Sequence, residues 1–191
     1  MIEVLVVILI LSFGMLGIAG LQAYTAKFKI NSWARSAASV QFSDLADRMR
    51  ANPTQAGLTF SQVDSATSTS GYAVSDDWED QQAADLSVAT DCSTATCDAE
   101  QRATYDTLVW RANVRRSFPQ GAVVLAGNRS AGVFATIAWF DRQFTQPDGS
   151  LASSATCTAT DAGATQANCC PAALGSPAPA GVRCTNMSFV P

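Results

Sequence analysis

Histidine is absent from this 191-residue chain, and its two lysines, Lys27 and Lys29, both lie just beyond the first apolar stretch. A Ser/His, Cys/His or Ser/Lys active site therefore has almost no material in the rest of the chain, because each such nucleophile needs a neighbouring base to activate it. The glycine patterns that cradle phosphates, GxGxxG and GxxxxGK[ST], are missing as well. A carboxylate pair is the acid–base chemistry that remains, and the acids concentrate between 51 and 101, in a stretch that reads as solvated. Basic residues form no long patch and the net charge is −4, so a grip on nucleic acid through phosphate neutralisation has little support. Paired CxxC motifs are also lacking, and without histidine a zinc site would need four thiolates drawn from dissimilar spacings. No enzyme and no cofactor is implied.

Charge is equally scarce at the start, where Glu3 is the only charged residue before Lys27. The run Val4 to Leu21, VLVVILILSFGMLGIAGL, is long enough as a helix to cross a hydrocarbon core of ~30 Å. A signal peptide is also apolar and N-terminal, but it has a basic n-region and a shorter apolar core, whereas this run is longer and opens on an acid. A carboxylate inside a bilayer costs a few kcal/mol or needs a partner, so its placement asks for a purpose.

Proline is absent before Pro53, which allows one helix from about Ile2 to Asn52, roughly 75 Å long. In its second half Ile30, Ala34, Ala38, Phe42, Leu45 and Met49 recur at steps of three or four, one apolar stripe. Arg35, Asp44, Asp47, Arg48 and Arg50 lie off that stripe, so this half is expected to lie against a folded domain while the first half projects. Gly14, Gly17 and Gly20 suit either close packing between membrane helices or local unwinding during assembly. The expected organisation is a membrane and assembly half over 1–26 and one globular domain over 27–191.

Residues 51–101 carry nine acids and no lysine or arginine. With the run Thr67-Ser68-Thr69-Ser70-Gly71 they read as a long surface connection with short strands at best. The densest acidic point, Asp76, Asp77, Glu79 and Asp80, has no EF-hand spacing and reads as a solvated surface. A second helix is predicted from about Asp98 to Ser117, ended by Phe118-Pro119-Gln120-Gly121. Its inward face is Ala103, Trp110, Val114 and Phe118, and Arg102 stands one turn before Asp106. Ala122 to Ala126 and Val133 to Phe140 then predict an antiparallel hairpin, Pro147-Asp148-Gly149 a turn, and Val182 to Val190 a third strand. Residues 150–181 are too poor in large apolar groups to form a core of their own.

The six cysteines are Cys92, Cys97, Cys157, Cys169, Cys170 and Cys184, best read as disulfides in an oxidising compartment such as a periplasm. Cys92 and Cys97 are close enough for a small-loop bridge at the start of the predicted helix. Of the other four, the adjacent Cys169 and Cys170 strain against bridging each other, so one is expected to reach Cys157 and one Cys184. A periplasmic domain conflicts with the positive-inside rule, which taken alone puts Lys27, Lys29 and Arg35 on the cytoplasmic side. A basic leader ahead of Met1 would reverse the balance.

Ile2-Glu3-Val4-Leu5-Val6-Val7 resembles the start of the mature N-terminal helix of type IV pilins and type II secretion pseudopilins. In that family a basic leader is removed ahead of a residue that is usually phenylalanine, and glutamate is the fifth mature residue. The resemblance thus implies a leader and two mature residues before Met1. The stretch CDAEQRATYDTLVWRANVRRSFPQG, with its cysteine, helical aspartate, tryptophan and closing Pro-x-Gly, is similar to PilV-type minor pilins. The implied fold is α+β and pilin-like, a long N-terminal helix packed on a small antiparallel sheet. The implied role is that of a minor pilin which helps to prime the fibre or cap its tip, with Glu3 compensating the N-terminal amine of a neighbouring subunit. Implied partners are other minor pilins, the major pilin, the inner membrane before assembly and, for the precursor, the prepilin peptidase. A type II secretion pseudopilin would use the same helix, although Glu-Val-Leu-Val pseudopilins tend to be shorter. A membrane-anchored adhesin module would need a large exposed apolar or aromatic patch in 141–181, and the sequence offers none.

Overall fold

A computed structural model describes residues 2–56, 70–128 and 132–191, apart from the side chains at 23, 26–28, 30, 31 and 128. The run Thr67-Ser68-Thr69, most of the hairpin connection and the side chains of Lys27 and Ile30 therefore lie outside the described residues. The fold is α+β, with a long N-terminal apolar helix and a small three-stranded antiparallel sheet. Contacts divide it into two units, Met1–Ser36 and Ala37–Pro191, the second of which holds the sheet and is the compact unit referred to below.

Helix α1 runs unbroken over Ile2–Ala51, through Gly14, Gly17 and Gly20. Within the second unit its stripe Ala38, Phe42, Leu45 and Met49 is buried. Helix α4, Ala99–Ser117, lies beside this part of α1: the Trp110 Nε1–H donates to the Gln41 carbonyl at 2.8 Å, and Asn52 Nδ2 donates to the Ala99 carbonyl at 2.7 Å. The start of α4 is set by a capping box. The Asp98 carboxylate accepts the Gln101 N–H at 2.8 Å while the Gln101 side chain accepts the Asp98 N–H at 3.1 Å, together satisfying two otherwise orphaned donors. At the other end Gln120 takes a left-handed φ of 53°, and a Cβ on Gly121 would meet the Val114 carbonyl oxygen at 2.7 Å, so only glycine passes there.

Strands β1 (Ala122–Asn128), β2 (Gly132–Phe140) and β3 (Val182–Phe189) lie in that order, with Val124 opposite Thr136 and Thr136 opposite Asn186. The register puts Ala122, Val124, Thr136, Ala138, Val182, Cys184 and Asn186 on one face. Trp78, Leu174, Ala178 and Cys170 pack on that face. Val123, Leu125, Val133, Ala135, Ile137 and Trp139 are buried on the other, where the rings of Trp139 and Phe118 stand 5.7 Å apart.

One expectation is corrected: the acid-rich connection is part of the core. Besides α2 (Pro53–Ala56) it holds α3 (Trp78–Ala83), and it buries Tyr72, Val74, Trp78 and Gln81. Val74 makes a bridge to Leu125, and the Gln81 side chain donates to the Val123 carbonyl at 2.7 Å and accepts its N–H at 2.9 Å. An isolated bridge residue and a buried amide thus close part of the outer edge of β1, which would otherwise present unpaired backbone groups. Its acids work locally: Asp77 caps α3, accepting the Asp80 N–H at 2.8 Å, and Asp76 pairs with Arg111 at 3.1 Å.

Asp106, one turn after Arg102 on α4, pairs with Arg48 of α1 at 3.1 Å, and Arg48, off the apolar stripe, is half-buried among polar partners. Arg48 also holds Asp44 at 2.9 Å, and the Tyr72 hydroxyl lies 3.1 Å from the Asp106 carboxylate. Burial, with the Asp106 charge beside it, pushes the Tyr72 phenol well above its ordinary pKa, so it stays a neutral donor.

Candidate functional site

The segment Ile2–Gln22 is long and apolar enough to cross a membrane, and none of it is buried within the chain. At ~1.5 Å per residue its length matches a hydrocarbon core of ~30 Å. Glu3 sits in the first turn of this helix, between the exposed Ile2 and Val4. An acid in the first turn is favoured by the helix dipole. In an apolar surrounding the carboxylate still loses its hydration, and a cation recovers it best. In such a surrounding the helix would need a cover for its apolar surface and a counter-charge for Glu3.

The structure pairs Cys92 with Cys97, Cys157 with Cys169 and Cys170 with Cys184, and no cysteine is free. Each of the two vicinal cysteines thus reaches outward. The first bridge holds the turn that leads into the Asp98 cap, with a Cα separation of 5.6 Å. The second closes residues 157–169, including α5 (Gly163–Asn168), into a loop, and the third fastens Cys170 to Cys184 on β3.

Hydrogen bonds complete that attachment. Cys157 N–H donates to the Cys170 carbonyl at 2.9 Å, and Cys170 N–H to the Ala155 carbonyl at 2.8 Å. Asn186, on β3, accepts from the Thr136 hydroxyl at 2.7 Å and donates to the Gln166 and Cys169 carbonyls at 2.6 and 2.9 Å. Gly181 lets the chain turn back into β3 at a φ of 85°, where a Cβ would strike the Phe140 ring at 2.5 Å. A segment too apolar-poor to fold by itself is thus ordered by covalent links and amide–carbonyl bonds.

Burial ranks the three bridges. Cys170 and Cys184 are 0% and 2% exposed, whereas Cys97 and Cys157 are partly exposed. Because thiol–disulfide exchange needs access to a sulfur, limited reduction of the native chain is expected to open Cys92–Cys97 and Cys157–Cys169 before Cys170–Cys184. Mass mapping after rapid alkylation checks this order, and early labelling of Cys184 would contradict it.

Sequence reasoning had no sign of a cavity of about 390 Å³ between residues 87–90 and the first half of α4. Among the described residues, no group of three or more His, Cys, Asp or Glu side chains is placed to hold a metal ion. Comparison of the chain with known protein families, curated proteins and solved structures finds no match.

Proposed function

We propose that this chain is a pilin-type assembly subunit, a minor pilin of the PilV kind that helps to prime a type IV pilus or cap its tip. The observation that carries the reading is Glu3 in the first turn of an exposed, membrane-length helix that continues without a break into an α+β unit. Before assembly that helix would be held in the inner membrane, and three disulfides fit an oxidising, periplasmic setting for the second unit. On joining a fibre, the apolar surface would be covered by the helices of other minor pilins and of the major pilin. Glu3 would take the N-terminal amine of a neighbour as its counter-charge, each desolvated ion being best compensated by the other.

Glu3→Ala is the test. Glu3 lies in the unit Met1–Ser36 and outside the compact unit, so the variant is expected to keep the wild-type unfolding midpoint in detergent. Recruitment of partner subunits, measured by pull-down from membranes, is expected to fall at least about tenfold, since stranding a buried charge costs several kcal/mol. Recruitment at the wild-type level would sink the proposal.

A further inference from the structure

Charge in the unit Met1–Ser36 is confined to the two sides of its apolar run. After Glu3 no acid occurs before Asp44, and Lys27, Lys29 and Arg35 are the bases in that interval. From residue 37 onward acids outnumber bases. The three bases also run against the orientation rule for membrane helices, which puts lysine and arginine on the untranslocated side, whereas three disulfides suit a translocated, oxidising side for the unit that follows. On that side they weaken the orientation bias, so topology does not account for them.

Their height along the helix is informative. The membrane-length segment ends at Gln22, and α1 continues past it without a break. At ~1.5 Å per residue, Tyr24 stands ~3 Å beyond that end, Lys27 ~8 Å, Lys29 ~10 Å and Arg35 ~20 Å. The headgroup layer outside the hydrocarbon is ~5–8 Å thick. Tyr24, which is exposed, therefore falls at the boundary where amphipathic rings settle. The two lysine positions fall at the outer face of the headgroup layer, within reach of a flexible four-carbon stem. Two residues apart, they lie ~200° around the helix from one another and so face different sides of it.

We infer that Lys27 and Lys29 form a collar for anionic phospholipid headgroups, which holds α1 at a fixed depth in the leaflet where it leaves the bilayer. The inference rests on the membrane placement of α1 proposed above and not on pilus assembly. The partner is a lipid phosphodiester and not a free phosphate, because a bilayer that covers the exposed apolar segment brings its own phosphates to the height of the lysines. Two ammonium groups at that height favour a headgroup of net negative charge, such as phosphatidylglycerol, over phosphatidylcholine, whose choline offsets its phosphate. Arg35 stands more than a Debye length of ~10 Å above the layer and contributes less.

The full chain, reconstituted in dioleoylphosphatidylcholine vesicles, is probed with phosphatidylglycerol and phosphatidylcholine that carry a spin label near the acyl-chain end. Their spectra separate lipid held against the helix from bulk lipid. At about 0.1 M salt phosphatidylglycerol is expected to be selected about threefold over phosphatidylcholine, and at about 1 M salt the two should be held equally. Lys27→Gln with Lys29→Gln is expected to abolish the selectivity, while Arg35→Gln keeps most of it. Glutamine is a good helix former, and an unchanged circular-dichroism spectrum verifies the helix. Held lipid without headgroup selectivity, selectivity that survives the double variant, or its loss in Arg35→Gln would overturn the collar and leave the membrane span standing. Loss of the selectivity to millimolar inorganic phosphate at constant ionic strength would overturn it too, since the lysines would then hold free phosphate. No held lipid of either kind would remove the span and the collar together.

Discussion

Trp110→Ala is expected to lower the stability of the compact unit by about 3–5 kcal/mol, a large share of the total for a domain of this size. Trp110 is fully buried on α4, and its indole N–H reaches across to the Gln41 carbonyl on α1. Removing it deletes the largest enclosed side chain among the described residues and one of the polar ties between the two helices, which the Arg48–Asp106 pair also joins. Most of the loss comes from volume, since the Gln41 carbonyl lies within a helix and keeps its place in the ladder. Trp110→Phe, which retains a ring, should cost about 1–2 kcal/mol. Urea unfolding of the full chain in a mild detergent measures both. A loss below about 1.5 kcal/mol for the alanine variant would mean that the helices are held together elsewhere.

The second large effect concerns the polar cluster under α1. Asp106→Ala is expected to cost about 2–3 kcal/mol, less than a fully enclosed ion pair because the Arg48 side chain is 24% exposed. The loss has two sources, a guanidinium left with Asp44 alone and a Tyr72 hydroxyl without its carboxylate. A double variant, Arg48→Met with Asp106→Leu, should then lose less than the sum of its singles, because an apolar pair needs no compensation. Additive losses, or a cost for Asp106→Ala under about 1 kcal/mol, would show that the cluster contributes little.

Both effects run through contacts between elements distant in the chain, which is where the sequence is least explicit. The helix over 99–117 was legible from Asp98 at its cap and the proline and glycine at its end, and the three strands from their β-branched and aromatic runs. Those signals are local, and the backbone obeys them locally. Asp106 was legible only as a neighbour of Arg102, since spacing along a helix predicts partners on that helix and is silent about Arg48, 58 residues earlier. The contribution of 70–83 to the core was hidden for another reason. Tyr72, Val74, Trp78 and Gln81 are single buried residues set among acids and small side chains, and they make no period that an amphipathic reading would detect. Glu3 is the reverse case, conspicuous in the sequence because one charge in an apolar run needs no fold to be noticed.

The Cys170–Cys184 bridge also bears on how the molecule responds to a pull. Under tension applied at the two ends of the chain, the 14 residues of separation it spans cannot pay out, which withholds about 46 Å of contour for as long as the sulfurs stay joined. The load would pass from β3 directly into Cys170 and leave the Leu174 and Ala178 contacts on the sheet unstretched. Extension would have to come from elsewhere in the chain, and the covalently closed region would be recovered intact when the force is released.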